Sequence, residues 1–169
     1  MRKCGVLCPI FSLPSPYGIG TMGKSAYEFV DLLKKAGQSY WQILPLGQTG
    51  YGDSPYQSFS ARAGNPNFID FAELIEAGYL EQRDIDGVYL GSDPSNVDYA
   101  LPTLLVVGSA CWPAELRTRG EASAKVCADH PARMLYHQMT QYFFDRQWSR
   151  LKAYANERDI LIIGDLPIY

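Results

Sequence analysis

The chain has 169 residues, 47% hydrophobic and 20% charged, which suits one folded domain with a buried core and excludes a disordered chain. A formal net charge of -3 without any basic run excludes a nucleic-acid backbone as partner, because neutralising phosphates takes clustered Lys and Arg. No apolar run reaches membrane-spanning length, and Pro9 interrupts the apolar start "MRKCGVLCPIFSLPSP" too early for a signal peptide, so a cytoplasmic location is expected.

"CGVLCPIF", Cys4 to Phe11, is a continuous apolar run bounded by turn residues, and it predicts a buried parallel strand. Cys4 and Cys8 fall on one face of such a strand. Neither His130 nor His137 follows a zinc spacing, so Cys4, Cys8, Cys111 and Cys127 read as four reduced thiols, and no metal is expected. In the next stretch, "SLPSPYGIGTMG", the pattern G-x-G-x-x-G occurs, but Pro-rich residues separate it from the strand and no Lys-Ser/Thr follows. It predicts a stiff loop and not a phosphate cradle.

"KSAYEFVDLLKKAG" predicts a helix, with Ala26, Phe29, Val30 and Leu33 recurring on one face. Lys34 and Lys35 suit its C-terminal dipole, and Gly37 suits the residue just beyond the end. "SYWQILPL", Ser39 to Leu46, predicts the next strand and completes a βαβ unit with a right-handed crossover.

A long loop follows, "GQTGYGDSPYQSFSARAGNP", with four Gly and two Pro among its residues. Tyr51 and Tyr56 are flat apolar platforms beside Asp53, Ser54, Gln57 and Ser58. Sugars present apolar C–H faces and polar edges, so this mixture fits a saccharide; a packed Ω-loop that buries its own aromatics fits the composition equally. Glycines allow close backbone approach there, and Pro55 stiffens the segment.

"FAELIEAG" predicts a second helix ended by Gly78, and "YLEQRDIDGVYLGSDPSNVD" a polar, turn-rich surface segment. Within Tyr99 to Trp112, Leu104 to Val107 reads either as a short buried strand or as part of an apolar helix interrupted at Pro102. A long helix is predicted in "PARMLYHQMTQYFFDRQWSRLKAYANERD", with a stripe of Phe144, Trp148, Leu151 and Ala155, and with His137 partly buried on its face. No internal repeat or low-complexity tract is present.

"ILIIGDLPIY", Ile160 to Tyr169, predicts a last, buried strand. Asp165 at its end is either a site residue at the carboxyl end of a barrel strand or the cap of the following turn. No crossover helix follows it, and the clear βα elements are too few for a barrel, which takes eight strands and about 250 residues. The expected fold is therefore α/β, the N-terminal part of a (β/α)8 TIM barrel, incomplete in this chain.

Three stretches carry a resemblance: "SLPSPYGIG", "AGQSYWQILPLGQTGYGDSPYQSFSARAGNPNFID" and "RQWSRLKAYANERDILIIGDLPIY". They are similar to the 4-α-glucanotransferases of glycoside hydrolase family 77, the amylomaltases or disproportionating enzymes. The resemblance implies a (β/α)8 barrel that moves α-1,4-glucan segments between maltodextrins, with an Asp nucleophile, a Glu acid/base and retention of configuration. It implies no cofactor and no metal, and maltooligosaccharides as partners, with no nucleic acid and no membrane. Those catalytic carboxylates lie beyond the strand at which this chain ends, so no catalytic residue is expected here.

By the same resemblance, Tyr56 sits at the donor sugar beside the cleavage point. Asp165 supports that subsite, Ser54 lies beside the substrate path, and Tyr51 contacts glucan farther away. Asp53 orients the loop and stays a candidate. The chain departs from the family at Gln48, where Pro is usual, and around 100–111, where a short apolar segment replaces a longer helical subdomain. It is expected to be an inactive N-terminal portion of a glucanotransferase, 1–169. The rival readings are a non-catalytic maltodextrin-binding remnant and a non-functional gene fragment.

Overall fold

The computed structural model describes residues 2–49, 54–58, 60, 62–86, 88, 128–129 and 131–166. Strand β1 is Gly5–Leu7, helix α1 Lys24–Lys35 and strand β2 Tyr40–Gln42; helix α2 is Phe71–Glu76 and α3 the single turn Gln82–Ile85; helix α4 is Pro131–Glu157 and strand β3 Leu161–Ile163. The three strands are parallel, in the order β1-β2-β3. Their register places Gly5 beside Tyr40 and Tyr40 beside Leu161, and Val6 beside Trp41 and Trp41 beside Ile162. Successive strands separated by helices in one parallel sheet are the opening pattern of a βα barrel.

Because side chains alternate across a strand, the sheet has two unlike faces. Trp41 and Ile43 on β2 and beyond are fully buried, and Ile162 packs against the same core. That face lies under the helices: Phe29 of α1 meets the Trp41 ring edge-on at 5.1 Å, and Trp41 Nε1 donates to the Cys8 carbonyl at 2.7 Å. Leu7, Leu161 and Ile163 are exposed on the opposite face. The expectation that β1 and the last strand are buried is thus corrected: β1 is exposed along its whole length, Val6 included, and β3 is half-buried only at Ile162. The first apolar run is also shorter as a strand than expected: Ile10–Ser12 forms a 3-10 turn instead, with Ile10 buried.

Helix α1 follows its predicted pattern. Ala26, Val30 and Leu33 are buried, and the helix ends as Gly37 turns to φ 69° and Gln38 N–H bonds the Leu33 carbonyl, a left-handed stop that glycine accepts at no steric cost. Helix α2 is capped by Asp70, whose Oδ1 accepts from Glu73 N–H, and Gly78 at φ 75° closes it as expected. Helix α4 begins at Pro131, a ring-fixed residue suited to a first turn. It buries Phe143, Phe144, Gln147, Leu151 and Ala155, while Trp148 is half-buried. His137 is exposed, not partly buried: it shares the face of Phe144 seven residues on, but residues 135–139 are all exposed, so this stretch of α4 has no core to pack on among the described residues. Within the predicted turn-rich segment, α3 adds one helical turn. The segment from Tyr99 to Trp112, His130, Cys111 and Cys127 fall outside the described residues.

The glycine-rich "GIGTMG" is pinned to the segments on either side of it, as a stiff loop should be. Gly20 N–H bonds the Phe11 carbonyl at 3.0 Å, Met22 N–H bonds Phe68 at 2.8 Å, and Thr21 Oγ1 donates to Asp70 at 2.6 Å. Among the described residues, no helix is long and apolar enough to cross a membrane.

Candidate functional site

Parallel strands put all their carboxyl ends at one edge of the sheet, so the loop after β2 and the residues after β3 emerge side by side. The loop leaves at Leu46 and returns at Asn65. Its base is closed by a bond from Asn65 N–H to the Leu46 carbonyl at 2.8 Å and by antiparallel bridges between Gly47 and Gly64 and between Thr49 and Ser58. Serines organise its return: Ser58 Oγ donates to the Ser60 carbonyl, and Ser60 Oγ accepts from Arg62 and Ala63 N–H, local turns that compete with regular structure.

Ser54 and Pro55 shape the tip. Ser54 Oγ accepts from Tyr56 N–H at 3.3 Å, and the Ser54 carbonyl accepts from Gln57 N–H at 3.1 Å. This tight turn lifts Tyr56 out of the loop, 44% exposed. Its hydroxyl donates to Asp165 Oδ2 at 2.7 Å, across 109 residues of sequence. Asp165 also accepts from Leu166 N–H through Oδ1 at 2.9 Å. Asp165 thus accepts from its own neighbour with one oxygen and from Tyr56 with the other. The bond to Asp165, reinforced by the charge of that carboxylate, holds the Tyr56 phenol above the ordinary tyrosine range, because it favours the protonated donor.

Of the five residues expected at the site, Ser54, Tyr56 and Asp165 are brought together. Tyr51 and Asp53 lie outside the described residues, as does Phe59. Sequence reasoning missed how the loop is fastened. Gln141 of α4 receives Gly64 N–H at 2.8 Å and donates to the Gly64 carbonyl at 2.9 Å, a contact that no motif or spacing marks.

Chemically, the site offers an exposed aromatic face whose plane is set by its hydroxyl, a carboxylate with accepting oxygens at its edge, and a serine hydroxyl. This set can stack on and hydrogen-bond a polyol ring. A double displacement at a glycosidic bond needs two carboxyl groups flanking it, and among the described residues the carboxylate bonded to Tyr56 is Asp165. Among the described residues no group of His, Cys, Asp and Glu is clustered to hold a metal ion.

A family model described as 4-alpha-glucanotransferase of glycoside hydrolase family 77 matches residues 8–104 and 107–169. The chain is 43% identical to a 4-alpha-glucanotransferase of Streptococcus pneumoniae, over 99% of this chain and 43% of that protein. It is 38% identical to one of Thermus thermophilus, again over 99% of this chain and 43% of the relative. Its fold superposes on the amylomaltase of Streptococcus agalactiae in complex with acarbose with a TM-score of 0.87 and 37% identity, covering all of this chain and 44% of that one. The chain thus spans less than half the length of these relatives.

Proposed function

Since the chain belongs to glycoside hydrolase family 77, the 4-alpha-glucanotransferases, we propose that it is the N-terminal portion, 1–169, of an enzyme that transfers α-1,4-glucan segments between maltodextrins with retention of configuration. In this reading the insertion around 100–111 is shortened, and the chain supplies subsite residues to a barrel whose catalytic carboxylates it does not contain. The observation that carries it is the bond between Tyr56 and Asp165. It joins the two loops at one sheet edge into an aromatic-carboxylate pair shaped for a sugar ring.

Tyr56 gives the ring a face to stack on, Asp165 accepts from sugar hydroxyls, and Ser54 lines the path between them. Tyr51 and Asp53 belong to the same glucan-binding set by family resemblance. The partners are maltooligosaccharides, and a cytoplasmic location accords with the free thiols of Cys4 and Cys8. The chemistry calls for no cofactor.

A second reading is binding of maltodextrin without turnover, favoured because Asp165 is the one carboxylate bonded to Tyr56 among the described residues. Titration of the purified chain with maltoheptaose, beside an assay of maltotriose disproportionation, tests both. Saturable binding lost in Tyr56→Ala supports a glucan site. No binding at millimolar ligand refutes it, and measurable turnover refutes the placement of the catalytic carboxylates elsewhere.

A further inference from the structure

The loop that carries Tyr56 is fastened to α4 at Gly64, and the fastening is specific. Neighbouring residues of an extended segment send their N–H and C=O groups to opposite sides. Asn65 sends its N–H to the Leu46 carbonyl, across the base of the loop. Gly64, next to it, sends both its N–H and its C=O the other way, to the side-chain amide of Gln141, at 2.8 and 2.9 Å. A glutamine amide has one acceptor and one donor end, so it pairs with this backbone unit as a neighbouring strand would.

The contact is close as well as paired. A Cβ on Gly64 would fall into the ring of Phe144, one helical turn beyond Gln141. Farther along α4 the same register repeats. Gln147 takes Asp70 N–H at 2.8 Å and donates to the Asp70 carbonyl at 3.0 Å, and Arg150 pairs with Glu73 at 3.1 Å. Each of the three pairs spans 77 positions in sequence. Segment 64–73 is thereby laid along α4 without slippage, and Gln141 is the rung nearest the loop.

We infer that Gln141 is a positioning residue for Tyr56: by holding both polar groups of Gly64 it fixes the base of the loop at the height on α4 from which the Tyr56 hydroxyl reaches Asp165. Helix α4 runs directly into β3 and Asp165, so one element sets both ends of that bond. Among the described residues, the side chain of Gln141 bonds Gly64 and not Ser54 or Tyr56 at the tip. Its consequence for glucan binding rests on the proposed function; its effect on the Tyr56–Asp165 bond does not.

The test is made on the full chain, with carbon-13 in the tyrosine rings and Tyr56 assigned by Tyr56→Phe. In wild type the Tyr56 resonance is expected to titrate above an ordinary tyrosine, because its hydroxyl donates to Asp165. In Gln141→Leu it is expected to titrate as a free tyrosine, and maltoheptaose affinity to fall about tenfold. Arg150→Met, which removes the rung farthest from the loop, is expected to leave the Tyr56 titration unchanged. An unchanged Tyr56 titration in Gln141→Leu overturns the inference, as does an equal change in Arg150→Met. If Gln141→Leu loses its helical spectrum, Gln141→Glu decides, since it keeps the acceptor for Gly64 N–H. An intermediate Tyr56 shift is then expected, and a wild-type titration overturns the inference. A freed Tyr56 in Gln141→Leu, with no maltoheptaose binding even in wild type, sustains the positioning role and refutes the glucan reading.

Discussion

Tyr154 directs its hydroxyl at the Asp31 carboxylate, 3.0 Å from each oxygen, and so ties the end of α4 to the middle of α1. Arg158 completes the clasp: its Nε lies 2.8 Å from Asp31 Oδ1, and its guanidinium stacks 3.3 Å over the Tyr154 ring. The Tyr154 bond first, and then the Arg158 bond and charge, hold the Asp31 carboxyl below its ordinary 3.8. A depressed value in the folded chain means stability that is present above the unfolded value and is lost as pH falls through the folded one. Asp31→Asn is therefore expected to flatten the acid limb of the stability profile. Urea midpoints measured from about pH 2 to pH 6 check this; an acid limb as steep as wild type refutes it.

Glu73 acts in the opposite sense. Burial lifts its carboxyl above the ordinary 4.5, with Arg150 opposing the rise. The folded chain then holds this proton more tightly than the unfolded one. The contribution is fully present below the unfolded value and declines as pH rises through the folded value. Glu73→Gln is expected to remove that decline, and Arg150→Met to steepen it by withdrawing the opposing charge. The same urea series, extended to about pH 7, reads both; a Glu73→Gln profile parallel to wild type above pH 4.5 sinks this account.

Next to Glu73 the hydroxyl of Tyr27 is buried, with no partner in hydrogen-bond geometry among the described residues. Its proton is held to about 12, by burial first and by the Glu73 charge second. Burying a donor without a bond costs on the order of 1 kcal/mol or more. The Tyr27 ring packs edge-on against Tyr154 at 4.8 Å, and phenylalanine keeps that contact. Tyr27→Phe is accordingly expected to leave stability unchanged or raise it by about 1 kcal/mol, read from urea unfolding. A clear loss would show that the hydroxyl is bonded in solution.

Gly20 is the point at which the glycine-rich loop meets the first 3-10 turn. A Cβ there would fall into the Ile10 carbonyl oxygen and within 2.8 Å of Leu13 N, backbone atoms that cannot rotate aside. Gly20→Ala is expected to destabilise by roughly 1–3 kcal/mol, the usual range for overpacking. A variant with wild-type stability would mean that this turn is not held against the loop.

Much of the fold is legible in the sequence, because periodicity and end signals are local. Ala26, Val30, Leu33 and Gly37 announce α1 and its stop, and Phe144, Leu151 and Ala155 announce the buried face of α4. Where local signals compete, the reading slips. Ile10 and Phe11 look like strand, yet Pro9 and Leu13 bracket them into a 3-10 turn. His137 shares the face of Phe144 and Leu151, yet residues 135–139 are all exposed, and periodicity gives a face without saying how far along it the core extends. The site was half legible: Tyr56 and Asp165 each stood out, but no local pattern couples residues 109 apart. Gln141 left no trace at all, because an amide that pairs with backbone needs no complementary side chain on its partner.

The pairing of Tyr56 with Asp165 separates two contributions that a single truncation would merge. Tyr56→Phe keeps the ring and removes the bond; Asp165→Asn keeps the geometry and removes the charge; Tyr56→Ala removes the ring. If glucan stacks on Tyr56 with Asp165 at its edge, Tyr56→Ala is expected to weaken maltoheptaose binding by about an order of magnitude, the scale of one lost aromatic contact. Tyr56→Phe is expected to weaken it less, since an exposed hydroxyl bond mainly orients the ring. Asp165→Asn is expected to return the Tyr56 phenol to the ordinary tyrosine range, because the bond to this carboxylate is the first cause of its rise. Isothermal titration with maltoheptaose and a tyrosine titration of the same samples read all three. Equal losses in Tyr56→Phe and Tyr56→Ala would assign the binding to the hydroxyl and refute stacking. A wild-type affinity in Tyr56→Ala would remove Tyr56 from the glucan path.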